Sequence, residues 1–272
     1  MLKGKKGIIF GIANDHSIAW GIAEKLHQHG ADLAITYQNN TLLKRVKPLA
    51  DKVNCNCLIE CDVSDPKSID QTFKKLKDHW SSIDFVVHAI GFSNKEELRG
   101  RYIETSKENF TNTLAISTFS LTEVAKKAES ILNHGGSILT LTYYGSEKVL
   151  PHYNVMGVAK AALESSVRYL AMDLGKKNIR VNSLSAGTIK TLAASGIGDF
   201  RYIMKWNELN SPLKRNVTQN EVGKAALFLL SDMSSGVTGE NLHVDSGYHI
   251  VGMKAEDAPD IDVVTGRKEN DH

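Results

Sequence analysis

At 272 residues with 42% apolar content, the chain is long enough to bury one sizeable core. Its formal charge of +2, from 33 Lys and Arg against 31 Asp and Glu, excludes the dense basic footprint of a nucleic-acid binder. No run of roughly 18 apolar residues offers a transmembrane helix, so the sequence predicts a soluble, cytoplasmic protein without a membrane or nucleic-acid partner.

The opening basic residues and the apolar run 7–13 imitate a signal peptide, but Asn14 and Asp15 cut the run short and leave a first strand over 7–11. Further strands are predicted over 32–37, 56–61, 85–90, 137–142, 180–185 and 240–244. Helix signals fill the gaps. Gly30 stops a helix through 23–29, and Asp65 and Pro66 read as N-cap and first turn before 68–80. Thr218-Gln219-Asn220-Glu221 is a capping box opening a helix that runs to Leu230. Strand and helix alternate from end to end, which predicts βαβ units in a single doubly wound α/β domain over 1–253, with a seven-stranded parallel sheet covered on both faces. The charged, weakly apolar remainder, 254–272, reads as a mobile tail. Cys55, Cys57 and Cys61 share one parity in the third strand, where neighbours two apart cannot easily form a disulfide; they read as buried thiols of a reducing compartment, and no metal site is predicted.

The first strand runs into Gly11-Ile12-Ala13-Asn14-Asp15-His16-Ser17-Ile18-Ala19-Trp20-Gly21, a glycine-bearing turn and a helix start. Free N–H groups and the positive dipole end make such a turn a cradle for a pyrophosphate. The G-x-G-x-x-G pattern is missing, so the turn by itself is equally a plain βα connection. Gly11 lets backbone approach phosphate, Ser17 offers a hydroxyl and an N–H, and Gly21 allows tight packing of helix on sheet. At the end of the second strand Gln38 is neutral and can bond a ribose hydroxyl, favouring NADH over a 2′-phosphorylated cofactor although Lys44 and Arg45 follow. Asp62, closing the third strand, reads either as an acceptor for an adenine amino group or as a turn residue. His88, closing the fourth, reads as a satisfied structural histidine.

Residues 136–145 form a strand leading to Tyr143 and Tyr144 at the carboxyl edge of the sheet, where doubly wound folds bind ligands. Tyr153 and Lys160 follow. On a helix their spacing places both on one face, although a chance Tyr and Lys on an apolar helix is a common occurrence. A phenol titrates near ~10, and a neighbouring cation stabilises its anion or its hydrogen bond to a developing oxyanion.

Together these segments resemble the enoyl-acyl-carrier-protein reductases of bacterial fatty-acid synthesis, within the short-chain dehydrogenase/reductase superfamily, over roughly residues 1 to 253. Ordinary members of the superfamily carry Lys four positions after the active Tyr; here position 157 is Gly and Lys160 comes later, which is the mark of the enoyl reductases. Matching segments are 11–21, Tyr37-Gln38, Cys61-Asp62-Val63, His88 to Phe92 and Ser185 to Ala193. The resemblance implies catalytic roles for Tyr143, Tyr153 and Lys160, and a substrate pocket touched by Ser93, Tyr143 and Tyr153. It implies NAD(H) held by Gly11, Ser17, Ile18, Gln38, Asp62, Val63, Ile90, Lys160, Ile189, Lys190, Thr191, Leu192 and Ala193. Tyr144 departs from the pattern, standing where many members have an aliphatic residue; alternation along an extended segment points it away from Tyr143.

The implied reaction is NADH-dependent reduction of the trans-2 double bond of an enoyl thioester carried on acyl carrier protein, with a homotetramer as the assembly. Residues 188–213 read as a flap over the acyl chain or as an ordinary packed helix pair, and Lys190, Arg201, Lys205, Lys214 and Arg215 are candidate contacts for an acidic carrier. The competing expectations are a short-chain carbonyl or alcohol reductase and a non-catalytic dinucleotide-binding sensor.

Overall fold

The computed structural model describes residues 1–192, 194 and 200–259. Seven strands form one sheet in the order β3-β2-β1-β4-β5-β6-β7: β1 (Lys6–Phe10), β2 (Asp32–Tyr37), β3 (Cys57–Glu60), β4 (Ile83–His88), β5 (Leu132–Thr142), β6 (Arg180–Ala186) and β7 (Asn241–Val244). Every pairing is parallel. The predicted doubly wound sheet is therefore what forms, and the strand order reverses between β1 and β4.

The strands are apolar on both faces because both are covered. Ile9 of β1 packs into a core shared with α1 (Ile18–Gln28), α2 (Asn40–Lys52) and α8 (Gln219–Leu230). Its neighbours Ile8 and Phe10 point the other way, into a core with α3 (Pro66–His79), α5 (Ser120–Ala128) and α6 (Val155–Gly175). Two further helices, α4 (Lys107–Leu114) and α7 (Phe200–Asn210), lie beyond the carboxyl edges of the strands they follow. No helix among the described residues is long and apolar enough to cross a membrane.

Local chemistry explains most boundaries. Asp65 caps α3 by accepting from the Lys67 N–H, with Pro66 in the first turn, and Thr218 and Glu221 form the reciprocal capping box of α8. Gly30, at φ +93°, follows α1 in the left-handed region that a helix stop favours. Most strand edges fall within one residue of the sequence reading, and the larger differences are at β4 and β5. β4 runs from Ile83 to His88 and takes in Asp84, whose carboxylate accepts from the Lys6 N–H at 2.8 Å and from Asn133 Nδ2 at 3.0 Å, satisfying the amino edge of the sheet. β5 begins at Leu132, paired with Ile83 across a register shift that absorbs the polar, glycine-bearing stretch 133–136.

Gly21 serves a different contact from the one expected of it. A Cβ there would meet Gln219 Cβ at 2.7 Å, and one on Gly223 would meet the Gly21 carbonyl at 2.6 Å, so the two glycines let α1 lie directly against α8, helix on helix. Gln219 then reaches over and donates to the carbonyls of Ser17 (2.7 Å) and Asp15 (3.1 Å), fastening the turn after β1. The start of the expected mobile tail is also attached: Asp257 pairs with Lys214 at 2.6 Å, the Ala255 N–H donates to Asn210 Oδ1, and Ala258 is buried. Residues 260–272 lie outside the described residues.

Candidate active site

At the point where strand order reverses, β1 ends before Gly11 and β4 ends before Ala89-Ile90-Gly91. Gly11 has φ +101°, and a Cβ on it would lie 2.1 Å from the Ala89 carbonyl oxygen, so only glycine lets these two strand ends converge. Ser17 is the N-cap of α1, but its hydroxyl does not cap the helix. It accepts from the N–H groups of Ala13 (3.0 Å) and Asn14 (3.1 Å), folding the turn back on itself. Ser17 thus shapes the loop expected to grip phosphate, and the helix start offers the N–H groups of Ile18 and Ala19 to an anion. The cradle fits a pyrophosphate.

At the ends of β2 and β3, Gln38 Nε2 donates to Asp62 Oδ2 at 3.1 Å, and Asp62 also accepts from the N–H and hydroxyl of Ser64. Burial would raise the Asp62 carboxyl, but the bonds from Ser64 and Gln38 outweigh it and hold it below its ordinary value. Gln38 and Asp62, proposed from different strands, thus form one polar edge. Val63 is buried beside it in the second core, Ile18 and Ile189 pack against the first, and Ile90 lends its carbonyl to Lys160. Lys190, Thr191 and Leu192 follow β6, with the Thr191 hydroxyl accepting from the Ala194 N–H; Ala193 lies outside the described residues.

Tyr153 is not on the helix. α6 begins at Val155, and the residues flanking Tyr153, His152 (φ 59°) and Asn154 (φ 42°), both sit in the left-handed region that non-glycine residues rarely adopt. Asn154 Nδ2 anchors this kink on the carbonyls of Glu97 (3.2 Å) and Gly100 (3.0 Å). The expected seven-residue helical step is therefore replaced by a strained turn that delivers the phenol separately from the lysine. Tyr153 is buried, and its ring meets Tyr143 edge-on with centroids 5.2 Å apart. Burial, then the neighbouring Tyr143 and Glu164, push its hydroxyl far above the ordinary phenol value, so it is held as a proton-bearing donor.

Two glycines shape this pocket. A Cβ on Gly145 would fall 2.3 Å from Tyr153 Cδ1, and one on Gly157 would fall 2.6 Å from the Gly145 carbonyl oxygen. Position 157, where a four-residue step would put the lysine, is therefore filled by the backbone of the loop after β5. The cation comes from Lys160 instead, whose buried ammonium donates to the carbonyls of Leu141 (2.8 Å) and Ile90 (3.3 Å), joining the ends of β5 and β4. Desolvation lowers its pKa to about 8 against an opposing pull from Glu164.

The register holds for the tyrosine pair: Tyr143 faces Tyr153, while Tyr144 packs edge-on against Tyr248 at 5.7 Å. Tyr143 is joined through its hydroxyl to Thr188 at 3.2 Å, and Thr188 accepts from Asn207 on α7. Burial raises the Tyr143 pKa, opposed by those two neighbours. Ser93 is not brought to this group through its side chain; its hydroxyl is bonded to Asn109 and Thr113 of α4. His88 is wholly buried between Thr140 and Ser120 and its pKa falls to about 3, through desolvation and then the Lys160 charge, as a neutral structural histidine requires.

Thr188, Asn207 and Glu164 were missed. Thr188 lies inside a recognised segment, and Glu164 stands one helical turn from Lys160, a signal available in the sequence; Asn207 had none. Of the five basic residues suggested for a carrier, Lys205, Lys214 and Arg215 are paired with Glu208, Asp257 and Glu221. The thiols of Cys55, Cys57 and Cys61 are free, and burial raises all three.

Residues 11–249 match the sequence profile of a family described as enoyl-(acyl carrier protein) reductase. The chain is 64% identical over 264 residues to an enoyl-[acyl-carrier-protein] reductase [NADH] of Rhizobium meliloti, covering 97% of each. It superposes with TM-score 0.91 on the enoyl-(acyl-carrier-protein) reductase of Anaplasma phagocytophilum solved in complex with NAD, at 57% identity and covering 95% of this chain and 97% of that one. A FabI structure from Candidatus Liberibacter asiaticus superposes with TM-score 0.92 at 53% identity, covering 93% and 98%.

Proposed function

We propose, from the premise that this chain belongs to the enoyl-(acyl carrier protein) reductase family, a division of labour among Tyr153, Tyr143 and Lys160. The enzyme reduces the trans-2 double bond of an enoyl thioester carried on acyl carrier protein, with NADH. When bound, NADH supplies a hydride to the β-carbon. The N–H groups of Ile18 and Ala19 would take its pyrophosphate, Gln38 and Asp62 its adenosine half, and Lys160 the ribose beside the nicotinamide; Gly11, Val63, Ile90 and residues 189–193 would line it.

Tyr153 donates its hydroxyl to the thioester oxygen and stabilises the enolate as charge arrives there. A preorganised, water-poor donor is worth most at such a site. The observation that carries this reading is the buried, protonated phenol locked between Tyr143 and Gly145 while Lys160 bonds elsewhere, to the strand ends. A lysine coupled to the phenol would lower its pKa and make it a readier acid, which suits proton delivery to the alkoxide of a reduced ketone; this arrangement favours a donor that keeps its proton. Tyr143 supports the ring of Tyr153 and, through Thr188 and Asn207, ties it to α7 over the acyl chain.

As part of the same proposal the enzyme is a cytoplasmic homotetramer, supported by free thiols and by Phe119, just before α5, and Tyr169 and Met172 on α6, which lie 55%, 75% and 77% exposed. The test follows NADH absorbance with a crotonyl thioester and separately with an acetoacetyl thioester. Oxidation with the enoyl substrate is expected; turnover of the keto substrate alone would overturn the reading.

A further inference from the structure

Glu164 is a buried carboxylate that the reaction as described leaves without a part. It stands four residues after Lys160 on α6, one helical turn along the same face. Its Oε1 accepts from two hydroxyls at once, Thr142 at 2.5 Å and Ser146 at 2.5 Å. These two residues bracket Tyr143, Thr142 ending β5 and Ser146 closing the short turn after it. Both bonds have the length of a hydroxyl donating to a charged oxygen. Lys160, meanwhile, holds the same strand end through the Leu141 carbonyl. A cation and an anion one turn apart on α6 thus grip consecutive residues of β5.

We propose that Glu164 is a positioning residue for the reduction: its charge partners the buried Lys160 ammonium, and its Oε1 fixes the segment 142–146 that carries Tyr143. The proposal rests on the enoyl-reductase reading given above.

Burying an ammonium among carbonyl groups is costly without an opposite charge nearby. Around Lys160 the titratable groups are Glu164 and Tyr153 from α6 and the turn before it, Tyr143 from the end of β5 and His88 from β4. Asp245, following β7, acts on Tyr143. Burial keeps both phenols protonated, and His88 is neutral between Thr140 and Ser120. That leaves Glu164 as the group that acts on Lys160 with opposite sign, and desolvation is what it opposes. The two neutral hydroxyls that bind Glu164 satisfy its oxygen without cancelling its charge.

The experiment separates charge from contact in the full-length enzyme. Glu164→Gln keeps an oxygen that accepts from Thr142 and Ser146 but removes the charge; Thr142→Val with Ser146→Ala keeps the charge but removes the contacts. The Lys160 ammonium is followed by nitrogen NMR of lysine-labelled, NADH-bound protein, its signal assigned with Lys160→Met. In parallel, kcat and KM for a crotonyl thioester are measured against pH. In Glu164→Gln the Lys160 titration and the alkaline limb of kcat/KM should both move down by about one pH unit, the size of effect a close opposite charge produces. In the double variant the titration should stay in place while kcat falls about tenfold, the cost of a loosened reacting group.

An unmoved Lys160 titration in Glu164→Gln overturns the proposal. Should that variant fail to fold, Glu164→Asp serves: it keeps the charge and shortens the reach, so it must lose kcat while retaining the titration, and a displaced titration there overturns the proposal instead. A wild-type protein whose Lys160 responds as expected, but which never oxidises NADH with the crotonyl thioester, would sink the enoyl-reductase reading and leave the coupling of Glu164 to Lys160 standing.

Discussion

Replacing Gly157 by Ala isolates the packing that sets the tyrosine apart from the lysine. The added Cβ would sit 2.6 Å from the Gly145 carbonyl oxygen, tighter than real contacts allow, so that carbonyl must retreat by roughly 0.8 Å to reach an ordinary separation. Overpacking of this kind costs about 1–3 kcal/mol, and the gain in helix propensity from Gly to Ala returns up to about 1 kcal/mol. Net destabilisation should therefore be about 0–2 kcal/mol, a fall in Tm of a few degrees at about 2–4 °C per kcal/mol for a chain of this size. Catalysis should suffer far more. Gly145 backs the ring of Tyr153, which in turn meets Tyr143 at 5.2 Å, so the displaced loop carries both phenols with it. A shift of about 1 Å in a reacting group costs on the order of 10²-fold. Steady-state kinetics with NADH and a crotonyl thioester, read beside a thermal melt, should show kcat reduced about 10- to 100-fold with an unchanged Kd for NADH. A variant with wild-type kcat would refute the claim that the close approach of Gly157 to Gly145 positions Tyr153.

Further outcomes follow from the same site. Tyr153→Phe should lower kcat about 10²- to 10³-fold, the worth of one oxyanion donor, and spare NADH binding measured by fluorescence titration; an equal loss of NADH affinity would argue that the phenol serves the cofactor. Lys160, with its folded pKa lowered to about 8 from 10.5, binds a proton less readily than in the unfolded chain. Wild-type stability should therefore rise with pH between about 8 and 10.5, and urea melts of Lys160→Met should lack that rise. His88, lowered from 6.5 to about 3, has the same sign in an acidic window: stability is complete above about 6.5 and is lost as pH falls toward 3. At pH 4.5 the loss amounts to about 2–3 kcal/mol, which His88→Gln should remove from the difference between denaturant melts at pH 7 and pH 4.5. A difference that persists in the variant would place the acid sensitivity elsewhere.

Much of this molecule is legible in one dimension because its determinants are local. Apolar runs of strand length alternate with capped helices, and that order commits the chain to parallel βαβ units before any contact is known. The capping box at Thr218 and Glu221, the Asp65 cap and the left-handed Gly30 formed where the residues demand them. The neutral burial of His88 and the separation of Tyr143 from Tyr144 were also foreseeable, the second from strand alternation alone. Gly157 marks the unusual tyrosine-to-lysine step without naming its cause.

What the tertiary structure decided is which groups share a space. Ser17 could equally have capped its helix; only the fold of the turn shows its hydroxyl accepting from the N–H groups of Ala13 and Asn14. Gly21 looks the same whether it faces sheet or helix, and the answer came from Gly223, some two hundred residues away in α8. A helical repeat relating Tyr153 to Lys160 fails because the backbone bends through His152 and Asn154, a strain paid where long-range packing on Glu97 and Gly100 enforces it. Local propensity names the elements and places the tyrosine and lysine near the carboxyl edge of the sheet. The contact that excludes a side chain at Gly157 belongs to Gly145, on another element, and so no reading of neighbours along the chain could supply it.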